Sequence, residues 1–172
     1  MAESHETRIE RMDREFSGAM TRFLARLEAA GAAGERAPAD GAWSVAQIGW
    51  HVAAVNRAFA GVMTGAIDGA VPARSGFVER EWRAVAGEVA ERLTASPPFR
   101  PPSGVLMADV LPSLRESERL VRDAIRSLTP GRGSGYTLTS PIVGEISVYQ
   151  IGEWAAAHVI RHNAQAKRVL AS

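Results

Sequence analysis

Apolar residues recur at three- and four-residue steps in successive stretches of this chain, and glycine or proline clusters separate the stretches. A chain written this way must form amphipathic helices that bury one face against each other. Ile9, Met12, Phe16, Met20, Phe23 and Leu27 mark a helix over residues 6 to 30. It runs out in Gly31-Ala32-Ala33-Gly34, and Pro38-Ala39-Asp40-Gly41 reads as a turn within a linker. The second helix starts at Ser44 and Gln47, a capping-box pair, with Trp43 and Ile48 placed as a hydrophobic staple. Its stripe is Ile48, Val52, Val55, Phe59 and Val62, and His51 falls within it.

A shorter helix is expected over residues 77 to 93, carrying Phe77, Trp82, Val85, Val89 and Leu93. Four prolines between Ser96 and Gly104 then forbid a helix, because they remove donors and restrict their predecessors. The next helix is predicted from about 109 to 128, with Pro112 tolerable only in its first turn. Thr129 to Gly135 ends it and opens a long loop. The last helix repeats the earlier start signal. Ser147-Val148-Tyr149-Gln150-Ile151-Gly152 echoes Ser44-Val45-Ala46-Gln47-Ile48-Gly49, which reads as reused helix-start chemistry rather than a duplicated domain. Its inward face is Ile151, Trp154, His158, His162, Gln165 or Ala166, and Val169.

Composition narrows the chemistry. At 172 residues the chain suits one domain spanning residues 1–172, able to bury about 70% of the surface its unfolded form exposes. With no cysteine, disulfides, thiolate zinc sites, iron-sulfur clusters and a cysteine nucleophile are excluded, and histidine, carboxylate and water remain as ligands. Net charge is +1, and acidic and basic residues alternate, as in Glu79-Arg80-Glu81-Trp82-Arg83. That mixing describes solvated helix faces, so no nucleic-acid partner is expected. Nineteen arginines accompany a single lysine, Lys167, which gives Schiff-base chemistry little support. No apolar run has the length of a membrane span and no signal-peptide core is evident at the N-terminus. A soluble cytoplasmic protein without a membrane partner is the expectation.

Three of the four histidines carry the functional signal. His158 and His162 are four residues apart, about 6 Å along a helix and on nearly the same face, so both imidazoles can reach one cation. His51 is the natural third ligand. It lies about 10 Å from the start of its helix, and the midpoint of the pair lies about 20 Å along the last helix. The three meet at one depth only if a helix of about 30 Å runs antiparallel to the last one, so these two helices are predicted to be antiparallel neighbours. Three neutral imidazoles suit zinc or nickel, with iron(II) also accommodated, and leave a position open for water or substrate. The alternative is that these are core histidines satisfied by hydrogen bonds. Gln165, one turn beyond His162, is a candidate partner for that ring, and Trp154 a candidate pocket wall. His5 is expected to be solvated near a frayed end. Gly131 to Gly135 lacks the Walker lysine and no G-x-S-x-G occurs, so neither phosphate-loop nor serine-hydrolase chemistry is indicated.

Trp43-Ser44 followed by His51, then Gly144, Trp154, His158, His162 and Gln165, resembles the DinB-like and YfiT-like metal-dependent superfamily, over almost the whole chain. The resemblance implies an all-α fold, a four-helix bundle of up-down-down-up order, often dimeric, here with an extra short helix and long loops. It implies a divalent metal on His51, His158 and His162. Relatives include bacillithiol S-transferases and mycothiol-dependent maleylpyruvate isomerases, which use low-molecular-weight thiols, and others assigned as hydrolases. The expectation is therefore a homodimeric metal-dependent enzyme that activates a thiol or water for S-transfer or hydrolysis of a small-molecule substrate. The competing expectation is a non-catalytic stress-response bundle that binds a metal or a small ligand.

Overall fold

The computed structural model describes residues 3–89 and 93–171. Four long helices dominate: α1 (His5–Ala30), α2 (Val45–Thr64), α4 (Met107–Ser127) and α6 (Val148–Leu170). Two six-residue helices, α3 (Trp82–Gly87) and α5 (Pro130–Gly135), lie in the connections. The predicted stripes supply the core. Met12, Phe16, Met20, Phe23 and Leu27 of α1 are buried together with Ile48 and Val52 of α2, Leu114, Val121 and Ile125 of α4, and Ile151 and Val159 of α6.

Cross-helix contacts fix the relative directions. Asp13 of α1 binds Arg122 and Arg126 while Glu28 binds Arg115, so α1 and α4 run antiparallel. Asn56 of α2 meets Ser117 and Met20, and Gly49 lies against Val110 and Leu27, so α2 runs with α4 and against α1. Arg8 and Arg11 share the buried Glu153, and Arg26 donates to Asn163 at 2.6 Å, so α1 and α6 run parallel. Phe59 packs on Trp154 while His51 packs on His162, so α2 and α6 are antiparallel neighbours as the histidine registry required.

Both capping boxes form, at Ser44 with Gln47 and at Ser147 with Gln150. The repeated glycine also has a common use. A Cβ on Gly49 would sit 2.6 Å from Val110 Cγ1 and 2.7 Å from Leu27, and one on Gly152 3.0 Å from Met12 Sδ. Each glycine lets its helix approach a neighbour one turn after its cap.

Several expectations are corrected. The fold is mostly helical rather than all-α, because β1 (Val71–Pro72), β2 (Tyr136–Ser140) and β3 (Gly144–Ser147) form an antiparallel sheet in that order. The supposed long loop after Thr129 therefore contains α5 and a hairpin; the Tyr-Thr-Leu-Thr run at 136–139 favours strand, and Gly144 turns the chain with φ of 73°. The helix expected over 77 to 93 shrinks to Trp82–Gly87, and its residues 90–92 lie outside the described part. Tertiary bonds explain the shortening: Glu79 is taken by Arg8 and Ser147, and Gln150 takes the Arg80 carbonyl, which holds the chain extended up to Trp82. α4 begins two residues earlier than expected because Glu35 accepts the Met107 N–H at 2.8 Å. Pro112 consequently lies beyond the first turn, where it removes one helical hydrogen bond. The linker after α1 carries a 3₁₀ turn at Gly31–Glu35.

Candidate metal centre

α2 and α6 bring His51, His158 and His162 together: one ring nitrogen from each lies within 4.8 Å of the others. His158 and His162 meet edge to face with centroids 4.4 Å apart, and His51 lies 4.7 Å from His162 and 5.2 Å from His158. The chain thus places together the three residues that the sequence pattern singled out.

Hydrogen bonds set two of the tautomers. His51 Nδ1–H donates to the carbonyl of Phe99 at 2.7 Å, and His162 Nδ1–H donates to Gln165 Oε1 at 2.7 Å. A carbonyl oxygen can only accept, so each ring carries its proton on Nδ1 and keeps a lone pair on Nε2. His51 Nε2 lies 3.2 Å from His158 Nε2. Between neutral rings that contact requires His158 to donate, which leaves His158 Nδ1 as a bare acceptor. That nitrogen is shielded from solvent and has no hydrogen-bond partner among the described residues. An unsatisfied buried acceptor costs about 1–3 kcal/mol. A cation between the rings would replace the single proton that His51 and His158 share, taking the Nε2 lone pair of each ring with the His158 proton then on Nδ1.

Burial keeps the rings neutral. It is the main cause lowering all three pKa values; for His51 the Phe99 hydrogen bond partly opposes it. His158 is pushed well below the ordinary histidine value by burial, then by His162, His51 and Arg161. Burial, with His51 and Arg161 adding and Gln165 opposing, lowers His162 to about 3. Neutral imidazole is the form that ligates a metal.

Aromatic rings wall the site. Trp43 lies 5.1 Å from His51, Phe59 stands edge-on to His158 at 6.0 Å, and Trp154 packs on Phe59 at 5.0 Å. His158 and Trp154 are half-buried and lie on the less covered flank of α6. The most buried row of α6 is Ile151, Ala155, Val159, His162 and Ala166, which sets Trp154, His158 and Gln165 on the flank rather than at the middle of the inward face.

The profile of the DinB superfamily matches residues 15–166. This chain belongs to the DinB superfamily. No curated protein matches it. The triad lies inside the matched span, with all of α2 and with α6 up to residue 166.

Sequence reasoning missed the Phe99 carbonyl, since a backbone acceptor has no residue signature. It also missed Trp43 as a neighbour of His51, having assigned that ring to a staple. His5 is not solvated: it opens α1 behind the Ser4 cap, and its Nδ1 lies 2.6 Å from the Tyr149 hydroxyl. No transmembrane-length apolar helix occurs among the described residues.

Proposed function

We propose that this chain is a metal-dependent enzyme in which His51, His158 and His162 hold one divalent cation, zinc or nickel ahead of iron(II). The observation that carries this reading is the pair of fixed tautomers, which leaves the Nε2 lone pairs of His51 and His162 free, together with the clustering of one ring nitrogen from each of the three histidines within 4.8 Å. When bound, such a cation supplies Lewis acidity that makes a thiol or a water nucleophilic near neutral pH. Gln165 and the Phe99 carbonyl hold the rings in place, and Trp43 and Phe59 shield the His51 and His158 rings from bulk water, with Trp154 packed behind Phe59. A small electrophile or ester would enter beside His158 and Trp154.

S-transfer from a low-molecular-weight thiol stands slightly ahead of hydrolysis in this reading, as the family resemblance suggests. The pairwise helix directions support an up-down-down-up four-helix bundle in a single domain, and we take a cytoplasmic homodimer as its working form. Zinc- and nickel-loaded protein assayed with thiol plus electrophile, and with hydrolysable esters, tests the reaction. The expected result is turnover that disappears in His158→Ala and on chelation. A fully loaded protein that turns over neither class of substrate sinks the enzymatic reading.

A further inference from the structure

The glutamine of each capping box has an amide N–H left over after its oxygen caps the helix. Gln47 Oε1 accepts the Ser44 N–H at 2.9 Å, and Gln47 Nε2 donates to the Pro102 carbonyl at 2.9 Å. Gln150 does the same at the other start: its Oε1 accepts the Ser147 N–H at 3.1 Å, and its Nε2 donates to the Arg80 carbonyl at 2.7 Å. The repeated Ser-Val-x-Gln-Ile-Gly segment therefore begins a helix and fastens an inter-helix connection to it.

At Gln47 the fastened connection is the proline-rich strap of residues 96 to 102. Its central 3₁₀ turn, Pro97–Phe99, presents the Phe99 carbonyl to His51. Gln47 and His51 are four residues apart on α2, hence neighbours on one face, so the strap is bonded to two successive turns of that face. Prolines at 97, 98, 101 and 102 restrict the strap's own backbone, so holding its end at Pro102 restricts where Phe99 can lie.

We infer that Gln47 is a positioning residue for the triad: by clamping Pro102 it keeps the Phe99 carbonyl on His51 Nδ1 and so turns the His51 Nε2 lone pair toward His158 and His162. The value of this to metal binding rests on the function proposed above, whereas the tautomer itself does not. Outer partners that orient a ligating histidine typically change metal affinity by roughly 10- to 100-fold when removed.

Gln47→Glu isolates the clamp. A glutamate at this position still completes the capping box but cannot donate to Pro102. Gln150→Glu makes the same change at the other helix start and serves as the control. Nitrogen-15 NMR of the histidine side chains in chelator-treated protein should show His51 as the Nδ1–H tautomer in wild type and Gln150→Glu, and a mixed or Nε2–H form in Gln47→Glu. Zinc affinity by chelator competition should fall roughly 10- to 100-fold in Gln47→Glu alone. A glycine inserted after Pro98 shifts Phe99 out of register, leaves α2 and α6 untouched and should reproduce the tautomer change if Gln47→Glu folds poorly. An unchanged His51 tautomer in a folded Gln47→Glu or in the insertion variant overturns the inference. Failure of wild type to bind zinc would instead strike the metal reading, with the tautomer still deciding the role of Gln47.

Discussion

His51 Nε2 stands 3.2 Å from His158 Nε2, across the line where α2 and α6 pass in opposite directions. Two ring nitrogens at that distance share one proton or one cation. A cation that binds the triad in the folded chain and not in the unfolded one should therefore stabilise the fold. Zinc at about a hundred times its dissociation constant should add about 2.7 kcal/mol. That corresponds to a rise of roughly 5–10 °C in the unfolding midpoint. His158→Ala should abolish the rise, and a zinc-induced shift that survives in this variant would place the ion elsewhere.

Gln165 is expected to matter through His162. Gln165→Leu removes the acceptor for His162 Nδ1–H and should weaken zinc binding by roughly 10- to 100-fold, with little change in helix content. Gln165→Glu keeps an acceptor there and should retain most of the affinity. Equal loss in both variants, measured by chelator competition, would argue that the contact does not orient the ring.

Gly49 tests the close approach of α2 to α1 and α4. In Gly49→Ala the added Cβ meets Val110 and Leu27 side chains, and overpacking of this kind costs about 1–3 kcal/mol. Better helix propensity returns about 1 kcal/mol, leaving a net loss of up to about 2 kcal/mol in urea unfolding. Gly87→Ala, which meets nothing within 4 Å among the described residues, should be neutral. A stabilised Gly49→Ala protein would contradict the packing described.

Asp13 couples α1 to α4 and gives the fold an acid-sensitive fastening. Burial pushes its carboxyl up, but hydrogen bonds from Arg122 and then Arg126 outweigh this and hold it below the ordinary aspartate range. A carboxylate depressed in the folded state contributes stability that is complete above its unfolded value near 3.8 and is lost as pH falls through the folded value. Asp13→Asn should therefore cost about 1 kcal/mol at pH 7, and the difference from wild type should close as pH falls through the folded value, below 3.8. Parallel denaturation curves at several pH values measure it. A gap that persists in acid would assign the effect to packing.

The helices and the histidine site were legible because both are periodic signals. Apolar steps of three and four residues located the four long helices, and the depth of His51 relative to His158 and His162 required α2 and α6 to be antiparallel. What escaped was set by tertiary contact. Glu79 and Arg80 sit in a helix-compatible stretch, yet Arg8, Ser147 and Gln150 claim their polar groups and hold them extended. Glu35 starts α4 from a distance of 72 positions, which no local cap signal could announce. The strand run Tyr136 to Thr139 was visible in β-propensity but was overshadowed by the glycines before it. Phe99 contributes a backbone carbonyl, which no residue pattern marks, so its part in the site is set by how the strap folds against His51.

The central claim, that three imidazoles from two antiparallel helices hold one cation, is tested most directly by elemental analysis of protein purified without a histidine tag. Wild type should carry about one divalent transition metal ion per chain, or take up zinc to that level, and His51→Ala, folded by circular dichroism, should carry almost none. Wild type that holds no metal and binds no added zinc, or His51→Ala that retains the full complement, would contradict it.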